Sequence, residues 1–333
     1  MSQSFSIAVD AMGGDNAPEA IVEGALKALQ QNPDLIIYLC GPADVVRKAA
    51  EGQPRCIPVE TTEVIAMDEH PAQAVRRKKD SSLVVAARLV KEGKAQGLFS
   101  AGSTGAVLTA ATLIVGRIKG IARPMLGQLL PAPSKPVLLC DVGANAICKP
   151  EYLVQFAQMG VIYMRDVVKS ESTRVALLNI GEEDTKGSQF AIDAHVALKE
   201  AVPEFVGNAE GRDLLTGEFD IIVTDGFTGN VCLKTIEGTA SILFKQLKGI
   251  MKSSALTMLG AATMKGKLKE FAATLSADTV GGAPLIGVQG ACVVGHGSSN
   301  ATAACNGILF TESIARAEVD KKIAALIQGG ADD

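Results

Sequence analysis

The chain has no tryptophan, three tyrosines and three histidines, and aromatic residues make up 4% of its 333 positions. Nucleic-acid binding needs stacking platforms and a basic field, and the formal net charge here is −4, so no nucleic-acid partner is expected. His70, His195 and His296 stand far apart and do not interleave with cysteines, which argues against a structural zinc site. The seven cysteines include no CxxC pair. Cys40, Cys140, Cys232, Cys292 and Cys305 lie in or beside apolar runs and read as small reduced core residues of a cytosolic protein. The opening MSQSFSIAVD has neither a basic flank nor a long apolar region, so no export signal is expected. A Walker loop is missing, AGSTG has the wrong spacing for a GxSxG elbow, and AMGGDN replaces a GxGxxG after the first apolar run.

What is present is ordinary for a soluble protein: 47% hydrophobic residues, 20% charged and 34 glycines. Short apolar runs (SIAVD, LIIYLCG, GLFSAG, VLLCDVG, VALLNIG, IIVTDG, CVVGHG) alternate with longer helical patterns such as APEAIVEGALKALQQN. Runs without polar alternation suit strands covered on both faces. Pro18 and Pro150 fit first helical turns, where Glu19 and Glu151 suit the dipole. The alternation predicts a largely parallel sheet in a three-layer α/β/α sandwich, one domain over residues 1–333. Gly97–Gly116 is uncharged and long enough to mimic a membrane span, but AGSTG breaks it into strand, turn and helix, as in a buried βα unit.

Most strand ends carry polar, glycine-rich turns: DAMGGDN, AGSTGA, DVGAN, NIGEEDTKG, DGFTGN and GHGSSN. Any one of them is explained by turn and cap chemistry. Six in one chain point to a shared site, with glycines admitting close approach and helix N-termini facing an anion, hence a phosphate-bearing ligand. Asp10, Gly13, Gly14, Asn16, Asn145, Asp225, Thr228 and Gly229 are the candidate crevice residues. Lys186 and Asn230 are a cation and a neutral donor that could bind phosphate or steady an oxyanion, or else a solvated lysine and a helix cap. The basic run Ala74–Ser82 reads equally as a solvated helix face or a dock for an acidic partner.

From Gly238 to Ala277 the pattern changes to a helical hairpin joined near Ala255–Ala262. Leu243, Leu247, Ile250 and Met251 recur at helical spacing, as do Met264, Leu268, Phe271 and Leu275. Lys245, Lys248, Lys252, Lys265, Lys267 and Lys269 face one acid, Glu270. The stripe suits a dimer bundle. The basic apolar tip, with Leu256, Met258 and Leu259, suits reversible attachment to an anionic membrane or steering of an acidic carrier protein.

The stretches AVDAMGGDNAPE, AVRRKKDSS, DVGAN…KPEYLVQFAQMG, LLNIGEEDTKG, EGRDLLTGEFDIIVTDGFTGNVCLKTIEG and GGAPLIGV…HGSS, in this order along nearly the whole chain, resemble the bacterial PlsX-type phosphate acyltransferase family. The resemblance implies an isocitrate-dehydrogenase-like fold, a homodimer, and no metal or nucleotide cofactor. It implies transfer of a long acyl group from acyl carrier protein to inorganic phosphate for phospholipid synthesis, in a cytoplasmic, reversibly membrane-associated enzyme. Under it Lys186 would hold phosphate, Asn230 would stabilise the oxyanion and His296 would protonate the leaving thiolate. Ser103, Ile147 and Val280 stand where the family commonly has Asn, Asp and Tyr. Two other readings stay open: a phosphate acyltransferase using acyl-CoA, and a non-enzymatic membrane scaffold for lipid synthesis.

Overall fold

The computed structural model describes residues 4–274 and 281–329. The seven apolar runs form strands, and four further strands join them in one 11-stranded sheet. In chain order these are β1 (Phe5–Asp10), β2 (Leu35–Gly41), β3 (Cys56–Glu60), β4 (Gly97–Ser100), β5 (Met125–Leu130), β6 (Val137–Cys140), β7 (Val175–Asn179), β8 (Phe205–Glu210), β9 (Ile221–Val223), β10 (Ala283–Ile286) and β11 (Ala291–Val294). The helices are α1 (Glu19–Gln31), α2 (Ala43–Ala50), α3 (Pro71–Arg77), α4 (Ser82–Lys91), α5 (Thr104–Ala110), α6 (Pro150–Tyr163), α7 (Gln189–Ala201), α8 (Gly226–Met251), α9 (Ala255–Thr274), α10 (Ala301–Arg316) and α11 (Val319–Gly329).

Successive strand side chains point to opposite faces, so the sheet has a core on each side. Ile7 and Val9 of β1 pack with α1, α6, α7 and α10. Ala8, between them, faces the other way, into a core with α4, α5 and the start of α8. This is the expected three-layer sandwich.

The strand order is β3-β2-β1-β4-β11-β10-β5-β6-β9-β7-β8. The pairs among β3, β2, β1, β4 and β11 are parallel, as are those among β6, β9, β7 and β8. Between the two groups, β10 is antiparallel to β11 and β5, and β5 to β6. The two parallel groups therefore run in opposite directions, unlike the single set of carboxyl ends the sequence suggested. Their ends still meet. Ala8, Leu98, Cys292, Leu285 and Leu126 form one row across the sheet, and Val142 donates to the Leu126 carbonyl at 3.0 Å. Asp10 lies two residues past Ala8, so the opposed strand ends differ by only about 7 Å along the strands.

The hairpin corrects the sequence reading in its details. α8 runs unbroken through Gly238, and the turn falls at residues 252–254, not at Ala255–Ala262, which lies inside α9. Ser254 accepts the Thr257 N–H at 3.2 Å and so caps the start of α9. The side chains of Leu256, Leu268, Lys269, Glu270 and Phe271, and the whole of Leu275 and Val280, lie outside the described residues.

α1 and α10 cross closely at Gly24. A Cβ there would stand 2.6 Å from Ala304 Cβ and 2.8 Å from the Ala301 carbonyl. This approach sets the position of the α10 N-terminus. Gly24→Val should lower unfolding stability by about 1–3 kcal/mol through overpacking, read as an earlier midpoint in urea.

Candidate active site

Three of the apolar runs end in an aspartate, and each carboxylate organises the turn after its strand. Asp10, after β1, is buried. It accepts the Ser100 hydroxyl at 2.7 Å and the Met12 N–H at 3.2 Å. Gly13 sits against this pair, where a Cβ would be 2.7 Å from Asp10 Oδ2, and Gly14 takes a positive φ of 106°. Asn16 then ties the turn to the loop after β11, donating to the carbonyls of Ser298 at 3.1 Å and Ser299 at 3.2 Å.

Asp141, after β6, is fully buried and more heavily bonded. It accepts N–H groups from Leu126, Gly143, Ala144 and Asn145 at 2.7–3.1 Å, and the Asn145 side-chain amide at 2.8 Å. That amide also donates to the Pro124 carbonyl at 2.8 Å, so Asn145 braces the loop. Asp225, after β9, caps α8: its carboxylate accepts from Phe227 N, Thr228 N and the Thr228 hydroxyl at 2.7–3.0 Å. Gly229 lets α8 dock on the β6 loop, since a Cβ there would lie 1.9 Å from the Asp141 carbonyl oxygen. Asp10, Asn16, Asn145, Asp225 and Thr228 thus bond within the scaffold.

Between the two groups of strand ends, on the α5 and α8 side of the sheet, lies a cleft of about 560 Å³. Its floor includes Leu126, Gln128, Ala283 and Val294; its walls include Gly102, Thr104, Gly105, Val142, Gly143, Asn230 and the Gly295–Ser299 loop. Asn230 and His296 therefore share one cavity, as expected. Lys186 does not line it. It sits on the loop after β7, half exposed, with its ammonium 3.8 Å from Glu183.

His296 Nδ1 lies 2.8 Å from Ser298 Oγ and accepts the Ser298 N–H at 3.3 Å, which leaves the proton of the neutral ring on Nε2. The Ser299 hydroxyl, also in the cleft wall, is buried without a partner among the described residues. The cleft contains an ion pair that the turn motifs do not point to: Lys234 Nζ to Glu237 Oε2 at 2.7 Å. Its signal in the sequence is the i,i+4 step from Asn230 to Lys234 on one helix. Asp141 is a second residue missed by the sequence reading, although it ends an apolar run as Asp10 and Asp225 do. Of the three unusual positions, Ile147 is exposed and Ser103 precedes α5.

Burial raises the carboxyls of Asp10 and Asp141 above the usual aspartate value, against hydrogen bonds that pull them down. A raised carboxyl stabilises the folded state at low pH. That contribution is lost as pH rises from 3.8 through the folded-state value. Asp10→Asn, which carries no charge to bury, should therefore be more stable than the parent at pH 7. The gap between the two should close as pH falls. Urea titrations from pH 4 to 8 would show this as a flatter stability curve for the variant.

Comparison with known proteins places the chain. The family model described as "Fatty acid synthesis protein" matches residues 5–322. The chain is similar to a phosphate acyltransferase of Clostridium perfringens (strain SM101 / Type A), 46% identical over 307 residues and covering 91% of each chain. A phosphate acyltransferase of Desulfitobacterium hafniense (strain Y51) is 49% identical over 305 residues, again 91% of each. Among solved structures, a phosphotransacetylase from Streptococcus pyogenes superimposes with a TM-score of 0.63 at 14% identity over 94% of each chain, a likeness of fold. That fold is the expected isocitrate-dehydrogenase-like sandwich. The chain belongs to the fatty acid synthesis protein family of phosphate acyltransferases.

Proposed function

We propose that this acyltransferase moves a long-chain acyl group from the thioester of acyl carrier protein to inorganic phosphate, and that the acyl phosphate feeds phospholipid synthesis. The observation that carries this reading is a cleft offering donors and a cation, with no activated cysteine. The half-buried thiol of Cys148 is pushed up by burial to about 11, and that of Cys232 is raised by the same cause. Inorganic phosphate needs no such activation, since it is already an anionic nucleophile near neutral pH.

In the proposed reaction a phosphate oxygen attacks the thioester carbonyl carbon and the C–S bond breaks with its electron pair leaving on sulfur. The proton that hydrogen phosphate brought ends on the thiolate. In this reading His296 Nε2–H donates a hydrogen bond to that sulfur, while the proton given up by hydrogen phosphate passes to it. Asn230 donates to the oxyanion of the tetrahedral intermediate. Holding both reactants in one small cavity supplies the proximity effect.

A second route has one contact in its favour. The 2.8 Å approach of Ser298 Oγ to His296 Nδ1 is the geometry of a serine activated by a base, which would pass through an acyl-serine. The two routes and the choice of donor are separated by one set of measurements. Wild-type protein with acyl-carrier thioester should release thiol and acyl phosphate only when phosphate is added, and faster than with acyl-CoA. Acid-quenched mass spectrometry should show no acyl adduct. Asn230→Ala should lower the rate by about ten- to a thousand-fold. Phosphate-independent thiol release, or an acyl-Ser298 adduct, would replace the direct route.

The hairpin supports the partner and membrane parts of the reading. Lys245, Lys248, Lys252, Lys265 and Lys267 are exposed, next to exposed Ile250, Met258, Leu259 and Met264. No described helix is long and apolar enough to cross a membrane, so attachment would be at the surface. Exposed Ile242, Leu243 and Leu247 on α8 are suited to pairing with a second copy of the chain. Lys252→Glu with Lys265→Glu should weaken co-sedimentation with anionic vesicles at least roughly tenfold, from about 1 kcal/mol per basic residue near the surface. Unchanged sedimentation would remove the membrane role and leave the enzyme role standing.

A further inference from the structure

The loop that carries Lys186 is held by two buried polar side chains that lie outside it. Residues 180–188 join β7 to α7, and their turn closes on one acceptor. The Glu183 carbonyl takes the Lys186 N–H at 3.0 Å and the Asn208 side-chain amide at 2.8 Å. Asn208 is buried in β8, and His195 is buried on α7 with its Nδ1 2.9 Å from Asn208 Oδ1. A carbonyl only accepts, so the Asn208 nitrogen faces Glu183 and the Asn208 oxygen faces the ring. His195 Nδ1 is therefore the donor. Its Nε2 faces Asp184 Oδ1, in the same loop, at 3.3 Å. A doubly protonated ring donates to both partners, and a ring with one proton keeps the Asn208 bond alone. The ring plane is fixed edge-on to Phe205, with centroids 5.0 Å apart.

These contacts end on the lysine's own backbone. Asn179, the last residue of β7, donates to the Lys186 carbonyl at 3.0 Å, and Gly187 takes a positive φ of 97° to let the chain pass. Leu177 pairs with Val223 of β9, so two residues on, Asn179 is level with Asp225, the N-cap of α8. One strand spacing, about 4.8 Å, separates them. The Lys186 backbone is thus tied to the strand end beside the first turn of the helix that bears Asn230. The acids of the loop are balanced from outside as well. Glu182 meets Arg212 at 3.0 Å, and Asp184 meets Lys199 at 3.0 Å, which with His195 holds the Asp184 carboxyl below its ordinary value.

An apolar pair in place of His195 and Asn208 would join α7 to β8 without the cost of burying polar groups. What the polar pair adds is a directed bond to the loop. We propose that His195, acting through Asn208, is a positioning residue that fixes the Lys186 loop beside the start of α8 and so sets where Lys186 meets phosphate. The inference rests on the phosphate-transfer reading above, in which Lys186 bears on phosphate, and adds the residues that aim it. Neither His195 nor Asn208 lines the cleft, so each acts through the loop.

The full chain and its variants would be titrated with inorganic phosphate at fixed acyl thioester, reading thiol release. His195→Phe keeps a ring against Phe205 and removes both bonds. It should raise the KM for phosphate about three- to tenfold, the weight of one or two hydrogen bonds, with a smaller fall in kcat. His195→Gln, whose amide can still donate to Asn208, should recover part of the loss. Asn208→Asp keeps an acceptor for the ring and withdraws the donor from Glu183, so it should raise the KM as His195→Phe does, and it carries the test if His195→Phe does not fold. In a Lys186→Met background, His195→Phe should change kcat/KM for phosphate by less than about twofold, because the residue it aims is gone. Amide hydrogen exchange over residues 180–188 should quicken in His195→Phe while the sheet keeps its protection. A parent-like KM in both His195→Phe and Asn208→Asp would overturn the assignment, as would an effect that adds in full to that of Lys186→Met. If the parent protein itself shows no phosphate-dependent thiol release, the transferase reading fails instead. Exchange then decides the clamp alone: faster exchange over the loop keeps it, and unchanged exchange removes it.

Discussion

The buried carboxylate of Asp141 is the constraint on which the rest of the site depends. It takes hydrogen bonds from Leu126 on β5, from three successive amides of its own loop, and from the Asn145 side chain. Carrying a carboxyl into a site with no exposed surface is costly unless its acceptor capacity is filled, and here five donors fill it. The result is a rigid knot at the seam where the sheet reverses direction. Gly226 N–H reaches the Asn145 carbonyl at 2.8 Å, and Gly229 abuts the Asp141 carbonyl, so α8 starts from this knot. Loss of the knot would release the helix that carries Asn230 and Lys234.

Asp10 plays the matching part on the other side of the cleft, with fewer donors. Through Ser100 it joins the loop after β1 to the loop after β4, and through Asn16 the assembly reaches the Gly295–Ser299 loop that bears His296. Two aspartate-centred turns, each attached to one parallel group of strands, thus face one another across the cavity. The repeated pattern of an apolar run ending in aspartate, then glycine, then asparagine reflects this. Aspartate gathers amides, glycine admits a neighbouring backbone, and asparagine ties the turn to the next loop. Most of these residues shape the cleft and few of them line it.

The sequence made the layered α/β architecture legible because seven strands are continuous apolar runs, a pattern that a doubly covered sheet imposes. The other four were hidden for local reasons. β3 carries Pro58 in an edge strand of the sheet, and β10 is a four-residue strand that contains Pro284. β5 and β8 each hold a glycine, and β8 is the other edge. Because β5 and β10 are the strands that reverse the sheet, missing them concealed the opposed directions of the two halves. In the site, Asn230 and His296 were legible from their turns. Lys186 stands out in the sequence because a lysine in a glycine-flanked turn resembles an anion loop; in the structure it lies outside the cleft lining, with Glu183 3.8 Å away. Lys234 does not stand out because it lies inside a helix, beyond the turn where ligand residues are sought.

The helix that starts at the Asp141 knot also sets the reach of the molecule. Asn230 and Lys252 are separated by roughly 33 Å of continuous helix at 1.5 Å per residue. Between them Ile236, Ala240, Leu243 and Leu247 line an open apolar groove of about 370 Å³. A helix cannot shorten without breaking its hydrogen bonds, so the cleft end and the basic tip are held at a fixed separation. In the proposed reading this has a chemical use. The acyl phosphate is labile in water and its tail is insoluble, so a rigid spacer with an apolar flank lets the reaction occur in a sheltered polar cleft while release occurs near a lipid surface. Bending or lengthening α8 would leave the cleft chemistry intact and separate it from delivery, which distinguishes a spacer from a mere packing helix.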